Sequence, residues 1–250
     1  EPGHVSSTDL PAAVSTLPSS PPLARHAPWL CGELHCHTRH SDGDCSPAEL
    51  VALARQRGLD FLAVSDHNTM SSHQELARLS DPGLTLIPAL EVTTFKGHFN
   101  VWGTNRWVDF RVHNASDMAD ALRFARQSGG LLSCNHPKPF GPPWDYQDVT
   151  DYDCIEVWNG PWFALNQLAL DFWVRQIAAG QRIPAVAGSD FHRRRQMSED
   201  TPRAPGTPVT WVYVPETPSA DAILRTIRCG HVTISDDVDG PFLDLRAGPD

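Results

Sequence analysis

Two histidines and a nearby aspartate carry the clearest chemistry in this sequence. His35 and His37 flank Cys36 in a segment, 33–37, that has the character of a β-strand. Side chains two residues apart on a strand point to the same face, so both imidazoles can reach one point in space. Asp42 follows on the turn that leaves the strand. Imidazole and carboxylate ligands together suit zinc, manganese or iron, so this pattern predicts a metal site.

Short apolar strands alternate with helical segments from Trp29 onward. The helix after the first strand is marked by Ser46-Pro47-Ala48-Glu49, which supplies an N-cap, a proline at the first helical position and a capping-box glutamate. This alternation predicts βα repeats and a largely parallel sheet. Further strands are predicted over 60–64, 84–93, 99–102, 131–135, 154–158, 183–187, 209–214 and 232–234, and further helices over 72–79, 116–128, 162–179 and 219–228.

The composition favours one catalytic-sized domain. Residues 1–28 are rich in proline and serine and are predicted to be a flexible segment, and residues 29–250 are predicted to form the domain. A formal net charge of −10 makes nucleic acid a poor choice of stable partner. A small anionic molecule is the expected partner, because divalent cations in one site would reverse the sign of the field there. No apolar run approaches the roughly 20 residues that span a bilayer, so no membrane association is expected.

The cysteines bear on the compartment. Six cysteines are spread along the chain without a CxxC pair. A chain of this length needs no disulfides for stability, so free buried thiols and a cytoplasmic location are predicted. The chain begins at Glu1 rather than Met, which indicates upstream processing and leaves a processed secreted form open as an alternative.

Metal-type side chains recur where the predicted strands end. The carboxyl ends of strands in a barrel or open parallel sheet face one common rim, so residues far apart in sequence can converge there. Asp190-Phe191-His192 repeats the i, i+2 spacing of the first pair. The candidate metal ligands are His35, His37, Asp42, His67, Glu91, His98, His136, Asp190 and His192.

Two carboxylates have particular settings. Glu91 lies in an otherwise apolar strand, where an ionised carboxylate is costly to bury without a cation or hydrogen-bond donors. A bridging role between two metals is predicted, with an ion pair to an arginine as the alternative. Asp66, next to His67, is predicted to accept a hydrogen bond that fixes an imidazole tautomer, with direct metal ligation as the alternative.

Other polar and aromatic residues near the predicted rim are candidates for contacting a substrate. Lys138 and Arg193 are cationic, and their functional interpretation is a clamp on a phosphate or carboxylate. Asn68, Trp158 and Asn159 are predicted to line the pocket wall. The remaining histidines, at positions 4, 26, 40, 73, 113 and 231, are interpreted as surface or packing residues.

Taken together, these motifs resemble the PHP (polymerase and histidinol phosphatase) superfamily of metallohydrolases. The matching elements are His35-Cys36-His37-Thr38 with Ser41-Asp42-Gly43, Ser65-Asp66-His67-Asn68, Glu91, His136-Pro137, and Gly188-Ser189-Asp190-Phe191-His192, in the family's order. Residues 29–32 and 97–103 are similar to the branch that includes carbaryl hydrolase-like proteins. The resemblance covers residues 29–236.

That resemblance implies a distorted (βα)7 barrel with two or three divalent ions (zinc, manganese or iron) at the carboxyl ends of the strands. It also implies three ligand sets, in which many relatives have a histidine where this chain has Asp42. The sets are His35, His37, Glu91 and Asp190; then Glu91, His98 and His136; and then Asp42, His67 and His192.

A metal-dependent hydrolase is the predicted function, with a phosphomonoesterase or phosphodiesterase favoured. Two cations sharing Glu91 would lower the pKa of a bridging water and so supply a hydroxide nucleophile near neutral pH. His67, His192 and Asp66 are the predicted catalytic residues that stabilise or transfer protons. Lys138 and an arginine of 193–195 are predicted to hold the anionic oxygens.

Two alternatives stay open at this point. The same metals could hydrolyse a carbamate, ester or amide, which would require an apolar pocket built from residues such as Trp102, Trp144, Trp158 and Trp162. The chain could also be a non-catalytic metal-loaded domain of a larger protein. A purely structural role would not require an open rim, so the predicted site favours an enzyme over a non-catalytic domain.

Overall fold

The structure is a computed structural model that describes residues 28–79, 83–139, 141–146, 148–197 and 203–245. The predicted N-terminal segment lies outside these residues, apart from Pro28. The elements are β1 (Trp29–Glu33), α1 (Pro47–Gln56), β2 (Phe61–Val64), α2 (His73–Leu76), β3 (Thr85–Thr94), β4 (Gly97–Trp102), α3 (Ala115–Gln127), β5 (Leu131–Cys134), β6 (Cys154–Asn159), α4 (Asn166–Ala178), β7 (Ala185–Gly188), a short 3₁₀ helix (Arg194–Met197), β8 (Val209–Tyr213), α5 (Ala220–Arg228) and β9 (Val232–Ser235).

The described strands form one sheet that curls into a nearly closed barrel. Its strand order is β7-β6-β5-β4-β3-β2-β1-β8-β9, and β7 also contacts β8 and β9. The chain after β1 pairs with the chain after β7, since the Asp190 N–H donates to the His35 carbonyl at 2.8 Å and the His37 N–H donates to the Phe191 carbonyl at 2.9 Å. Helices α3, α4 and α5 pack against β5, β6 and β8. The predicted distorted α/β barrel is confirmed.

The sheet is mixed, so the prediction of a largely parallel sheet was wrong for part of the barrel. β3 and β4 pair antiparallel, with Thr94 opposite Gly97. A connection this short cannot make the crossover that a parallel pair needs. β4 also pairs antiparallel with β5, as β8 does with β1 and β9. The remaining neighbours, including β1–β2 and β6–β7, are parallel.

The first strand lies four residues earlier than predicted. β1 ends at Glu33 because its residues pair with β8 on one side and β2 on the other, and the chain then leaves that ladder. An isolated parallel bridge joins Cys36 to Phe191. This bridge keeps the chain extended, so His35 and His37 retain the alternation of a strand although they lie beyond it.

The helix boundaries follow local hydrogen bonds. α1 begins as predicted, with the Ser46 side chain accepting from the Glu49 N–H and the Glu49 carboxylate accepting from the Ser46 N–H. α4 begins at Asn166 rather than at 162, because Leu165 adopts a left-handed φ of 60°. The Asn166 side-chain amide donates to the carbonyls of Asn159 and Pro161, which holds the loop before the helix.

Two smaller differences also concern element boundaries. β7 begins at Ala185 rather than at 183, because Pro184 has no N–H to donate to a ladder. α2 is a single turn, with no side-chain hydrogen bond at its N-cap Ser72. All six cysteines are free thiols, and only Cys229 is exposed. Within the described ranges, no helix has the length and apolar character needed to cross a membrane.

Candidate metal centre

The nine candidate ligands collect at one end of the barrel. His35 and His37 follow β1, His67 follows β2, Glu91 lies in β3, His136 follows β5, and Asp190 and His192 follow β7. β4 runs antiparallel to β3, so its first residues lie at this end, and His98 is its second residue. The other ligands lie in or after strands whose carboxyl ends point to this end of the barrel. β4 runs the opposite way, so a ligand near its amino end lies there too.

The inner part of the centre contains His35, His37 and Asp190. The Nε2 atom of His37 lies 3.1 Å from Asp190 Oδ1, and the Nε2 atom of His35 lies 3.5 Å from the same oxygen. Both imidazoles are fully buried. One ligand atom from each residue lies within 4.8 Å of the others, so the three can share one cation.

Glu91 lies between this inner group and a second group. Its Oε1 atom is 3.3 Å from His35 Nε2, 3.2 Å from His98 Nδ1 and 3.4 Å from His136 Nε2. The carboxylate is fully buried, and its ionic contacts among the described residues are to imidazoles. This position between groups is the one a bridging ligand requires.

The outer part of the centre is more open to solvent. Asp42 Oδ1 lies 3.3 Å from His192 Nε2 and 3.5 Å from His67 Nε2, and His37 stacks on both rings. The Nδ1 atom of His192 is 2.8 Å from the Asp190 carbonyl, which can only accept a hydrogen bond. This contact places a proton on Nδ1, so Nε2, which lies on the Asp42 side of the ring, is the atom that can bind a metal once its own proton is lost.

The carboxylates of the centre are held in their ionised form. Burial alone would raise the pKa of Glu91 and of Asp190, but the surrounding imidazoles, His35 foremost, hold both pKa values well below the usual range. Burial likewise opposes ionisation of Asp42, yet the hydrogen bond and charge of His192 lower its pKa to about 2. The centre thus carries negative charge available to a cation.

The imidazoles are not equivalent. Burial lowers the pKa of His37 to about 4, so this ring is neutral near pH 7 and ready to bind a metal. Burial also acts on His35, but the carboxylates of Glu156 and Glu91 outweigh it and raise its pKa well above the ordinary value. Neighbouring carboxylates raise the pKa of His67 and His192 in the same way.

The backbone is strained at two ligands. His136 and Asp190 have φ angles of 27° and 52°, in the left-handed region that residues with a Cβ seldom adopt. Asn68, in the loop after β2, has a φ of 54°. Such conformations cost on the order of 1–3 kcal/mol each and cluster at functional sites.

A divalent ion fits these side chains. His35 Nε2 is buried and has no hydrogen-bond partner among the described residues, although it faces two carboxylates. An unsatisfied buried polar atom costs about 1–3 kcal/mol, which a metal bond would remove. The donor set of imidazoles and carboxylates suits zinc, manganese or iron.

Glu156 is a site residue that the sequence reasoning missed. It lies in β6, 2% exposed, and its Oε1 atom is 2.9 Å from His35 Nδ1. The contact to an imidazole that was predicted for Asp66 is therefore made by Glu156, whereas the Asp66 carboxylate accepts from Thr38 and Ser41. The available signal was a glutamate between Ile155 and Val157 in an apolar strand, the same feature that identified Glu91.

A cavity of 280 Å³ opens over the ligands. Its wall includes Lys138 and Asn159, both predicted to contact substrate, and Arg203, which was not predicted. Lys138 Nζ donates to the Asn159 carbonyl at 3.0 Å and to Asn166 Oδ1 at 2.7 Å. The guanidinium group of Arg203 lies against Gly160, where a Cβ atom would come within 2.4 Å of it. Two cations therefore share the wall beside the ligands.

The other predicted site residues lie outside the cavity lining. The Asp66 carboxylate accepts hydrogen bonds from the Thr38 N–H and hydroxyl and from the Ser41 hydroxyl, so it orders the loop after His37. Asn68 exchanges hydrogen bonds with the backbone of Thr93. The Trp158 indole donates to the Gly160 carbonyl, and Arg193 is exposed.

The tryptophans proposed for an apolar pocket do not form one. Trp102 and Trp144 are buried, and their indoles donate to the carbonyls of Leu34 and Val149. Trp158 and Trp162 contact each other edge to face at 4.9 Å. None of the four is among the cavity-lining residues, which include imidazoles, carboxylates and two cations.

Comparison with known proteins agrees with this geometry. Residues 33–131 match the family model of the PHP domain. Over 63 residues the chain is 40% identical to a 5′-3′ exoribonuclease of Haemophilus influenzae, a match that covers 25% of this chain and 23% of that protein. Over 144 residues it is 23% identical to the uncharacterized protein MJ1587 of Methanocaldococcus jannaschii, covering 51% of this chain and 80% of that protein.

A solved structure shares the fold. It is a two-domain protein from Bacteroides vulgatus, described as containing a predicted PHP-like metal-dependent phosphoesterase. The TM-score is 0.65 at 20% identity, and the match covers 84% of this chain and 65% of that one. The chain thus spans less than two thirds of this neighbour and less than a quarter of the exoribonuclease.

Proposed function

Because this chain carries a PHP domain, we propose that it is a metal-dependent phosphoesterase acting on small anionic phosphomonoesters or phosphodiesters. The observation that carries the proposal is the cavity in which a buried set of imidazoles and carboxylates meets a cationic wall. The ligand set matches divalent ions, and the wall matches the non-reacting oxygens of a phosphate.

Three groups of side chains would hold the metals. The inner group contains His35, His37 and Asp190, the second contains Glu91, His98 and His136, and the outer group contains Asp42, His67 and His192 with His37. When bound, divalent ions would lower the pKa of a coordinated water and attract the substrate oxygen that gains charge.

The chain's own residues would orient and neutralise the substrate. Lys138 is anchored by two acceptors, so its ammonium group is fixed at the wall and pre-organised for an anionic oxygen. Arg203 is half-buried beside it and offers a fork of N–H donors. Together they favour an anionic substrate over a neutral ester or carbamate.

A proton for the leaving oxygen would come from the outer edge of the centre. His67 and His192 are the more exposed imidazoles there, and nearby carboxylates raise the pKa of both. A ring that is not engaged by a metal can donate from Nε2 across the cavity mouth. Asp66 would act indirectly, by holding the loop that carries Asp42.

The first test is a variant of the central ligand. Glu91→Ala should lower both metal content and kcat/KM towards p-nitrophenyl phosphate or its bis ester, the latter by more than about 100-fold, because one buried charged group can stabilise a transition state by this much. His73→Ala is the control, since Nε2 of this ring donates to the Ala89 carbonyl at 2.7 Å and the residue lies outside the cavity lining. Full turnover in Glu91→Ala protein would exclude the proposal.

A substrate panel separates the competing functions. Phosphomonoester, phosphodiester and naphthyl carbamate substrates should be compared on one metal-loaded preparation. Turnover of a phosphate substrate alone is expected, because the cavity wall is cationic and its lining holds no tryptophan. Carbamate turnover without phosphate turnover would favour the alternative hydrolase, and metal binding without any turnover would favour a non-catalytic domain.

A further inference from the structure

Glu156 is a buried carboxylate that contacts the inner ligand group, the second ligand group and the cavity wall. It lies in β6, between the buried Ile155 and Val157, and pairs in register with Val186 of β7. An ionised carboxylate in such a position requires several donors to offset its desolvation. Those donors come from two different parts of the centre.

The first donor is a metal-ligand imidazole. Glu156 Oε1 is 2.9 Å from His35 Nδ1, and His35 Nε2 on the opposite edge of the ring faces Glu91 and Asp190. A carboxylate can only accept a hydrogen bond, so the proton of this contact resides on Nδ1. The pairing therefore directs the Nε2 lone pair of the neutral ring towards the cation site.

The second oxygen is also satisfied. Glu156 Oε2 accepts from the His136 N–H at 3.0 Å and from the Asn159 side-chain amide at 3.1 Å. His136 belongs to the second ligand group, and Asn159 lies in the cavity wall, where its carbonyl accepts from Lys138. One carboxylate thus fixes an inner ligand, a second-group ligand and the anchor of a wall cation.

The backbone of β7 passes so close to His35 and Glu156 that no side chain fits at Gly188. A Cβ atom at Gly188 would lie 2.5 Å from His35 Cβ and 2.7 Å from Glu156 Oε1. A glycine in β7 is therefore required for the carboxylate and the imidazole to meet. This is a second observation, independent of the hydrogen bonds, that the packing preserves the Glu156–His35 contact.

We propose that Glu156 is a positioning residue that fixes His35 with its proton on Nδ1 and aligns His136 and Asn159 with it, so that the metal ligands and the anion-binding wall keep one geometry. This inference rests on the metal centre of the proposed function. It does not depend on which ester is cleaved.

The matched control is Glu33. It is also a fully buried glutamate next to the centre, and its oxygens accept from the backbone N–H groups of His35, Ser189 and Gly206, with no imidazole among its hydrogen-bond partners in the described residues. Glu33→Gln and Glu156→Gln therefore make the same substitution at two buried carboxylates beside the centre. Only the second changes the partner of a ligand ring, because glutamine offers one acceptor oxygen to the three donors that the two Glu156 oxygens serve.

The experiment measures metal affinity and the proton on His35. Dissociation constants for Zn²⁺ or Mn²⁺ are obtained by competition with a chelator, and Nδ1 protonation is read from ¹⁵N resonances of the metal-free protein at a pH high enough for the His35 ring to be neutral. In wild type, His35 Nδ1 should carry a proton. In Glu156→Gln, one amide oxygen cannot serve all three donors, so the alignment of His35 and His136 should be lost and the dissociation constant should rise about 10–100-fold, the usual effect of removing a group that orients a metal ligand.

Each outcome is decisive. The proposal fails if wild-type His35 is unprotonated at Nδ1, a reading that needs no variant to fold. It also fails if Glu156→Gln binds metal as tightly as wild type, or if Glu33→Gln weakens binding equally. Glu156→Asp, which keeps the charge, should recover part of the affinity. The NMR reading requires neither metal nor substrate, so it stays separate from any failure to hydrolyse phosphoesters.

Discussion

The ligand side chains differ in the protons they carry before a cation binds. The carboxylates of Asp42, Glu91 and Asp190 have lowered pKa values, so they are ionised at any pH near neutrality. His67 and His192 have raised pKa values, because nearby carboxylates outweigh the effect of burial. A metal entering the centre must therefore displace protons from imidazoles and not from carboxylates.

Metal affinity should accordingly weaken as the pH falls. Below the raised pKa values of His67 and His192 the rings hold protons that compete with the cation, and above those values the competition ends. Titration calorimetry with Mn²⁺ between about pH 6 and pH 8, the range in which histidine changes charge, should show proton release and tighter binding at the higher pH. An affinity independent of pH would show that the metal does not displace protons from these two rings.

At the scale of elements, loops position the ligands as much as strands do. Gly141 lines the cavity with a φ of 83°, and a Cβ atom there would lie 3.0 Å from His136 Nδ1. The close approach of this glycine to the ring helps to set the orientation of a ligand whose own backbone is strained. The loop after β5 is thus part of the metal centre.

Gly141→Ala should weaken metal binding by displacing the His136 ring. Gly129→Ala is the matched control, because Gly129 has a φ of 88° and nothing within 4 Å of the added Cβ atom. Both variants should lose roughly 1–2 kcal/mol of unfolding free energy from left-handed strain. Only Gly141→Ala should raise the metal dissociation constant in a chelator competition. Equal affinities in the two variants would rule out the loop's role.

The sequence predicted most of the strands that carry or precede the candidate ligands, but it did not predict the contacts that Glu156 and Arg203 make in the folded chain. Alternation on an extended segment brought His35 and His37 together, and the same rule explains why Asp66 and its neighbour His67 diverge: adjacent residues point to opposite faces. Glu156 could have been found as a second charged residue in an apolar strand. Arg203 could not, because the contact of its guanidinium group with Gly160 forms only in the folded chain and has no signal in the sequence.

At the scale of the whole molecule, the centre lies where the barrel closes. The chain segments after β1 and β7 are hydrogen-bonded to each other and carry His35, His37, Asp190 and His192. A bound cation would join these segments to β3 and β4 through Glu91 and His98. Ligand bonds of this kind stabilise the folded chain over the unfolded one.

Divalent metal should therefore raise the melting temperature. A site saturated at 100 times its dissociation constant adds about 2.7 kcal/mol to the free energy of unfolding. Thermal unfolding of chelator-treated protein, before and after adding Zn²⁺ or Mn²⁺, measures this effect. Glu91→Ala protein should show a much smaller shift, and an equal shift in both proteins would place the stabilising ion elsewhere.

The β3–β4 hairpin has a consequence for the order of folding. Glu91 and His98 are seven residues apart, so a short turn brings two ligands together with little loop-closure entropy. His37 and Asp190 are 153 residues apart and meet only when the barrel ends join. One part of the metal centre is thus local and the other depends on the last long-range contacts. Acquisition of the ion during refolding would report completion of the barrel.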